Sequence, residues 1–372
     1  MRTLQVVRPS QTDANISQYN NYHFIYFNTN VAPRGQLFVF LPGTGGAPSG
    51  YTNVVRTAAN LGFHAAGLMY PNGVTMNSLC ADSTNPDCYA EARLAVINGG
   101  TNDMLRVSAS DSITNRLVKL IQYLSLNNPN RKWQQFLDTN SLPNWPKVVV
   151  AGHSQGAGHA GLIAKRYPVA RSLMFADTDW WTPNGDLPGQ PASWVIKPGV
   201  TLPEYFFGFV HTNDPLIPYS EETITWTEYG LTPFGGPLLV ENSVLPFQGS
   251  HELITGLTPD NFPSAQDYHG ATVVDSPTPL TTGGTPASLP VWQYMMTGPP
   301  ELPQLQIAPA TSNQIELTFS TFTNYSYQPE AAGDPTVTWS NFGPAIAGTG
   351  ATTSLLLNLT NSCQFYRLAV LY

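Results

Sequence analysis

Short apolar runs recur through the first three hundred positions, and between several of them the apolar residues switch to a helical spacing. The strand-like runs are Tyr22–Asn28, Gly35–Leu41, Phe63–Tyr70, Val148–Ala151, Arg171–Ala176 and Tyr205–His211. Several are apolar at consecutive positions, the pattern of strands buried on both faces. The clearest helical stretch follows Ser110 and Asp111, where Ile113, Leu117, Leu120, Ile121 and Leu124 share one face behind a capping residue. Strands alternating with helices predict an α/β fold, a mostly parallel sheet with helices on both faces.

Near Gly298-Pro299-Pro300 the period changes. Residues 303–372 carry the runs Gln314–Phe319, Thr336–Trp339, Ser354–Leu359 and Phe365–Leu371, separated by turn residues and without a helical period. They predict a small all-β sandwich behind a Pro-rich linker. The expected division is therefore 1–300 and 303–372.

The most informative stretch is KVVVAGHSQGAGHAGL, residues 147–162. A valine strand runs into Gly152-His153-Ser154-Gln155-Gly156, and small residues at helical spacing follow. A strand turning sharply into a helix at G-x-S-x-G lifts a serine hydroxyl out of the turn as a nucleophile. Ser154 is the candidate.

A serine nucleophile needs a base, an acid to orient that base, and donors for the oxyanion. In this arrangement the acid and the histidine follow the serine in the chain. Asp214 lies just beyond the buried-type run ending at His211, in YFFGFVHTNDPLIPY, which places it at the carboxyl edge of the sheet. Asp177, Asp179 and Asp275 compete with it. His153 and His159 flank the nucleophile on the elbow and read as structural, and His211 precedes the acid. The base is then His269, in the Gly-flanked and irregular DYHGATVVD, with His251 in QGSHELIT as the alternative. His251 follows the strand candidate Leu238–Glu241, but HELIT itself alternates like a strand. Chain order suits both, since His269 also precedes the helical stretch Leu289–Met296.

The oxyanion donors expected are the amide of Gln155, next to the nucleophile, and that of Thr44. Thr44 lies in the glycine-rich loop of LFVFLPGTGGAPSGY, which lacks the Lys-Ser/Thr of a phosphate-binding loop.

Taken together, LPGTGG, GHSQG and NDPLIPY make residues 20–300 resemble a secreted α/β-hydrolase esterase, loosely akin to cutinase- and polyester-hydrolase-type enzymes. The resemblance implies an α/β-hydrolase fold and a serine esterase acting without a cofactor. It also implies that Trp180 or Trp181, in FADTDWWTP, flanks the substrate. It says nothing about residues 303–372.

Composition narrows the setting. Charged residues make up 11% of the chain and the net charge is −8 with no basic cluster, which argues against nucleic acid as a partner. No apolar run reaches the roughly 18 residues of a membrane span. Cys80 and Cys88 bracket a polar loop and fit a short-range disulfide of an oxidising compartment, whereas Cys/His spacing for a metal site is missing. MRTLQVVRPSQ has no signal-peptide apolar stretch. The expectation is a mature secreted or periplasmic protein.

The predicted function is hydrolysis of a carboxylic ester, with acyl-chain and polymeric esters suited to an aromatic rim. A peptidase or acyltransferase would use the same groups. A non-catalytic carbohydrate- or surface-binding protein is the alternative from another class, drawing on Tyr325, Tyr327, Trp339 and Phe342.

Overall fold

The computed structural model describes residues 2–101, 105–177, 179–183, 188–260, 264–298, 305–311, 313–321, 326–334, 336, 338–349, 351–358 and 365–371. The chain divides into two compact units, Met1–Ser243 with Ser250–Thr297, and Val244–Gly249 with Gly298–Tyr372.

The first unit is built on nine strands. They are β1 (Arg2–Val7), β2 (His23–Asn28), β3 (Leu37–Leu41), β4 (His64–Gly67), β5 (Val148–His153), β6 (Arg171–Phe175), β7 (Phe206–His211), β8 (Leu238–Leu239) and β9 (Glu252–Thr255). Their order across the sheet is β1-β2-β4-β3-β5-β6-β7-β9-β8. β2 pairs antiparallel with both β1 and β4, and every pair from β4 to β8 is parallel. The α-helices longer than four residues are α1 (Thr52–Asn60), α2 (Met76–Cys80), α3 (Cys88–Asn98), α4 (Ile113–Asn127), α5 (Gln155–Arg166), α6 (Tyr219–Tyr229), α7 (Ala265–Gly270) and α8 (Leu289–Thr297). This is an α/β-hydrolase fold.

β3, β5 and β7 are buried at every position, which is why their sequences do not alternate. Their side chains nevertheless divide between two cores. Leu37, Val39, Leu41, Val148 and Val150 join α3, α4 and α5 in one. Phe38 and Phe40 face the other way, where Phe40 lies 4.8 Å from Tyr51 and 6.1 Å from Phe175. On that face α1 packs on β2 and β4, and α8 packs on α1. Cys80, ending α2, is disulfide-bonded to Cys88, which opens α3. Among the described residues no helix is long and apolar enough to cross a membrane, and no His, Cys, Asp and Glu cluster has the arrangement of a metal site.

The second unit holds two antiparallel sheets. Strands β10 (Gln306–Thr311), β11 (Gln314–Ser320) and β15 (Thr352–Asn358) form one, and β12 (Ser326–Ala332), β13 (Ser340–Asn341), β14 (Ile346–Ala347) and β16 (Phe365–Leu371) form the other. Phe319 of β11 and Tyr327 of β12 make the core shared by the two sheets, with rings 5.7 Å apart. The run expected at Thr336–Trp339 is not a strand at its described positions; pairing with β12 begins at Ser340. Tyr327 is interior, Trp339 is half-buried beneath the Arg367 guanidinium, and Phe342 packs edge-on against Tyr366. Tyr325 and Cys363 lie outside the described residues.

Candidate active site

Ser154 is the single residue between the end of β5 and the start of α5, at φ 52° and ψ −123°, a backbone conformation that side-chain-bearing residues rarely adopt. Backbone hydrogen bonds hold it there. Its N–H donates to the Phe175 carbonyl at 2.8 Å, and its carbonyl accepts from the Ala157 N–H at 2.9 Å. The flanking glycines are required by space. A Cβ on Gly152 would lie 2.2 Å from the Gly156 backbone, and one on Gly156 would lie 2.0 Å from the Leu41 carbonyl oxygen. Ser154 is half-buried and lines a cavity of about 500 Å³ together with Thr44, Tyr51, His153, Leu216 and His269.

Asp214 follows β7 by three residues and is buried. Its Oδ1 accepts from the N–H groups of Leu216 (2.9 Å) and Ile217 (3.1 Å), which fixes the carboxyl plane. Its Oδ2 lies 2.7 Å from His269 Nδ1. A carboxylate only accepts, so Nδ1 carries the imidazole proton and Nε2 presents its lone pair. His269 sits in α7 rather than in an irregular loop. That short helix is started by a capping box, in which Asp267 Oδ2 accepts from the Ser264 N–H at 2.7 Å. Among the described residues neither Ser154 Oγ nor His269 Nε2 has a hydrogen-bond partner, and both groups belong to residues lining the same cavity.

His251 stands elsewhere. It precedes β9, beside the start of β7 and away from the strand end that leads to Asp214. Its ring is sandwiched between Phe207 at 4.0 Å and Phe234 at 4.3 Å. Burial pushes its pKa down to about 3. The structure therefore pairs Asp214 with His269 and leaves the alternative base in an aromatic stack.

His153 and Tyr51 connect the two halves of the site. The carbonyl of His269 accepts from His153 Nε2 at 3.0 Å, so Nδ1 of His153 is the acceptor for the Tyr51 hydroxyl, also at 3.0 Å. The Tyr51 oxygen in turn accepts from the Gly43 N–H at 3.1 Å. Desolvation, with the nearby His269, holds the His153 pKa down at about 3, so it stays neutral. Sequence reasoning left Tyr51 out, because nothing local marks a tyrosine that reaches a ring 102 positions away.

The backbone N–H groups of Thr44 and Gln155 have no partner among the described residues. The Thr44 hydroxyl donates to Gln155 Oε1 at 2.6 Å, tying the glycine-rich loop to the elbow. Asn72, also missed from sequence, braces that loop by donating to the carbonyls of Gly43 (2.7 Å) and Gly46 (2.9 Å).

The competing aspartates have structural partners. Asp179 makes a bidentate pair with Arg93, both contacts at 2.6 Å, and Asp177 lies 3.5 Å from the same guanidinium. Arg93 Nη1 donates to the Gln155 carbonyl at 2.7 Å, anchoring the first turn of α5. Asp275 caps α1 from a distance, accepting from the N–H groups of Thr52 (2.8 Å) and Asn53 (2.9 Å). Among the described residues around the Ser154 cavity, Trp180 and Trp181 do not appear. They form a two-residue strand paired with Gln190–Pro191, and Trp181 Nε1 donates to the Ser83 carbonyl at 2.7 Å.

No family model and no curated protein matches the sequence. Among solved structures, the chain is similar to an acetyl xylan esterase from Aspergillus awamori, at 15% identity and a TM-score of 0.34, over 61% of this chain and 80% of that one. It is also similar to a protein assigned as a dienelactone hydrolase from Klebsiella pneumoniae subsp. pneumoniae MGH 78578, at 12% identity and a TM-score of 0.36, over 72% of this chain and 90% of that one.

Proposed function

We propose that the protein is a serine carboxylic-ester hydrolase in which Ser154 is the nucleophile, His269 the base and Asp214 its orienting acid. The observation that carries this reading is the Asp214–His269 pair, 2.7 Å apart and opening on the cavity that holds Ser154. His269 Nε2 takes the Ser154 proton as Oγ attacks the ester carbonyl. The carbonyl oxygen becomes an oxyanion facing the Thr44 and Gln155 N–H groups, each contributing about 2.7–4 kcal/mol to the transition state. Protonated His269 then gives its proton to the leaving alcohol, and water reverses the steps on the acyl-enzyme.

The Cys80–Cys88 disulfide supports action in an oxidising compartment, secreted or periplasmic. Residues 303–372 contribute none of the proposed catalytic groups, and we assign them an accessory role.

The test is a fluorophosphonate probe alongside a p-nitrophenyl ester assay. The native protein is expected to be labelled at Ser154 and to hydrolyse the ester. Ser154→Ala is expected to lose both while keeping its circular dichroism spectrum. An unlabelled native protein without esterase activity would overturn the reading and return the fold to a binding role.

A further inference from the structure

A second, smaller cavity of about 220 Å³ opens beside the nucleophile, walled by Thr44, Gln155, Arg93 and Asp177 with Met76 and Ile217 among the apolar residues. If Ser154 and His269 act as proposed above, chemistry assigns the two cavities to the two ends of an ester. His269 lines both cavities, but only the larger one also takes in Gln266, Gly270, Val274 and Pro277 along the His269 segment, so the leaving oxygen, which must reach His269 Nε2, is assigned to that side. The acyl substituent then points the other way, towards Asp177.

The size of this second cavity falls below the roughly 300–1,000 Å³ of pockets for drug-sized ligands. It suits a short acyl chain.

The charged groups in its wall are unequal. Arg93 is committed to Asp179 at 2.6 Å and to the Gln155 carbonyl at 2.7 Å. Asp179 accepts from Arg93 twice and from Trp194 Nε1 at 2.7 Å. Asp177 is held more loosely. Its contact with Arg93 is 3.5 Å long, and the Gly158 amide that also interacts with it is shared with the Ser154 carbonyl, to which it donates at 3.2 Å. Yet Asp177 is only 4% exposed. A carboxyl buried this far, beside the proposed nucleophile and held by one long ion-pair contact and one shared amide, carries a desolvation cost that a hydrogen-bonding ligand would offset. Burial also pushes its pKa up to about 8, so near neutral pH the group donates as well as accepts.

We propose that this cavity is the acyl subsite, and that Asp177 selects short acyl chains bearing a hydroxyl group near the ester carbonyl. The inference rests on the esterase reading above. A hydroxyl is the neutral group that both donates to and accepts from a carboxyl, and a site built around such a bond discriminates against the analogue lacking it far more sharply than an apolar pocket does.

The experiment compares kcat/KM for p-nitrophenyl butyrate and p-nitrophenyl 3-hydroxybutyrate, corrected for spontaneous hydrolysis. The native enzyme is expected to prefer the hydroxylated ester at least about tenfold. Asp177→Ala should bring the ratio close to one. Ile217→Phe, which narrows the same cavity without touching the carboxyl, should depress longer acyl chains more than acetate. Equal kcat/KM for the two esters in the native enzyme would overturn the proposal while leaving the Ser154 chemistry standing. A native enzyme that hydrolyses neither ester and resists the fluorophosphonate probe would remove both readings together.

Discussion

His153 Nε2 lies 3.0 Å from the carbonyl oxygen of His269, so the residue before the proposed nucleophile grips the backbone of the residue proposed as its base. Tyr51 extends the grip to Gly43 in the glycine-rich loop. Tyr51→Phe removes the hydroxyl, leaving the His153 Nδ1 lone pair and the Gly43 N–H without partners. The expected result is a fall in kcat of about tenfold to a hundredfold with KM within a few-fold, the signature of misplaced rather than missing groups. Steady-state kinetics on a short ester checks it. An unchanged kcat would show that the tie does not position His269.

The two histidines open to choice on sequence should separate in kinetics. His269→Ala is expected to lower kcat by about a thousandfold or more without unfolding the protein. His251→Phe keeps a flat ring between Phe207 and Phe234, and turnover should stay within a few-fold of native. Comparable losses in both variants would undo the assignment of the base.

Stability should be greatest in mildly acidic solution. His23, His153 and His251 are held neutral by burial, with pKa values down at about 3, and His159 lies well below its usual range. The unfolded chain protonates these rings near pH 6.5, so their contribution is present above that pH and is lost as pH falls towards 3. Asp177 and Glu252 oppose them, with pKa values raised by burial to about 8 and about 7, as does fully buried Glu222, raised well above its usual range. Their contribution is present at low pH and is lost as pH rises from the ordinary carboxyl range through those values. Between about pH 4.5 and 6.5 the two groups largely offset each other. The melting temperature should therefore fall below about pH 4.5, where hydrogen-bonded carboxyls held below their usual range, Asp111 among them, add to the loss from the imidazoles, and fall again from about pH 6.5 to 8 as the raised carboxyls ionise. His251→Phe should flatten the acid limb in a thermal scan across pH. An acid limb of unchanged slope would contradict the assignment.

Removal of residues 303–372 should leave short-ester hydrolysis within a few-fold of the full chain, because every proposed catalytic group lies upstream. A folded, soluble truncation that is inactive on a short ester would show that the segment helps to build the site.

The parts of the site legible in sequence are those whose steric demands fall on neighbouring residues. Gly152, Ser154 and Gly156 sit within five positions, and the turn they make needs small residues at both ends. The Asp214 loop was readable because a buried strand points to it. His269 and His251 were not separable, since α7 is too short for a helical period and a strand-like HELIT does not reveal which end of the sheet its histidine joins. Tyr51, Asn72 and Arg93 escaped because each acts across the fold, Arg93 on a carbonyl 62 positions away. Asp275 looked like a free acid for the same reason; the helix it caps begins 223 residues earlier.

The close approach of Gly156 to the Leu41 carbonyl fuses two pieces that other arrangements could let slide. The loop carrying Thr44 grows directly from the strand end that α5 presses against, so the proposed nucleophile and its two amides form one inelastic bracket. Adaptation to a new ester is then confined to the opposite jaw, α2 and the Leu216–Ile217 turn, where side chains can change without disturbing that bracket. Laboratory evolution of this chain should accumulate its gains there and leave the bracket silent.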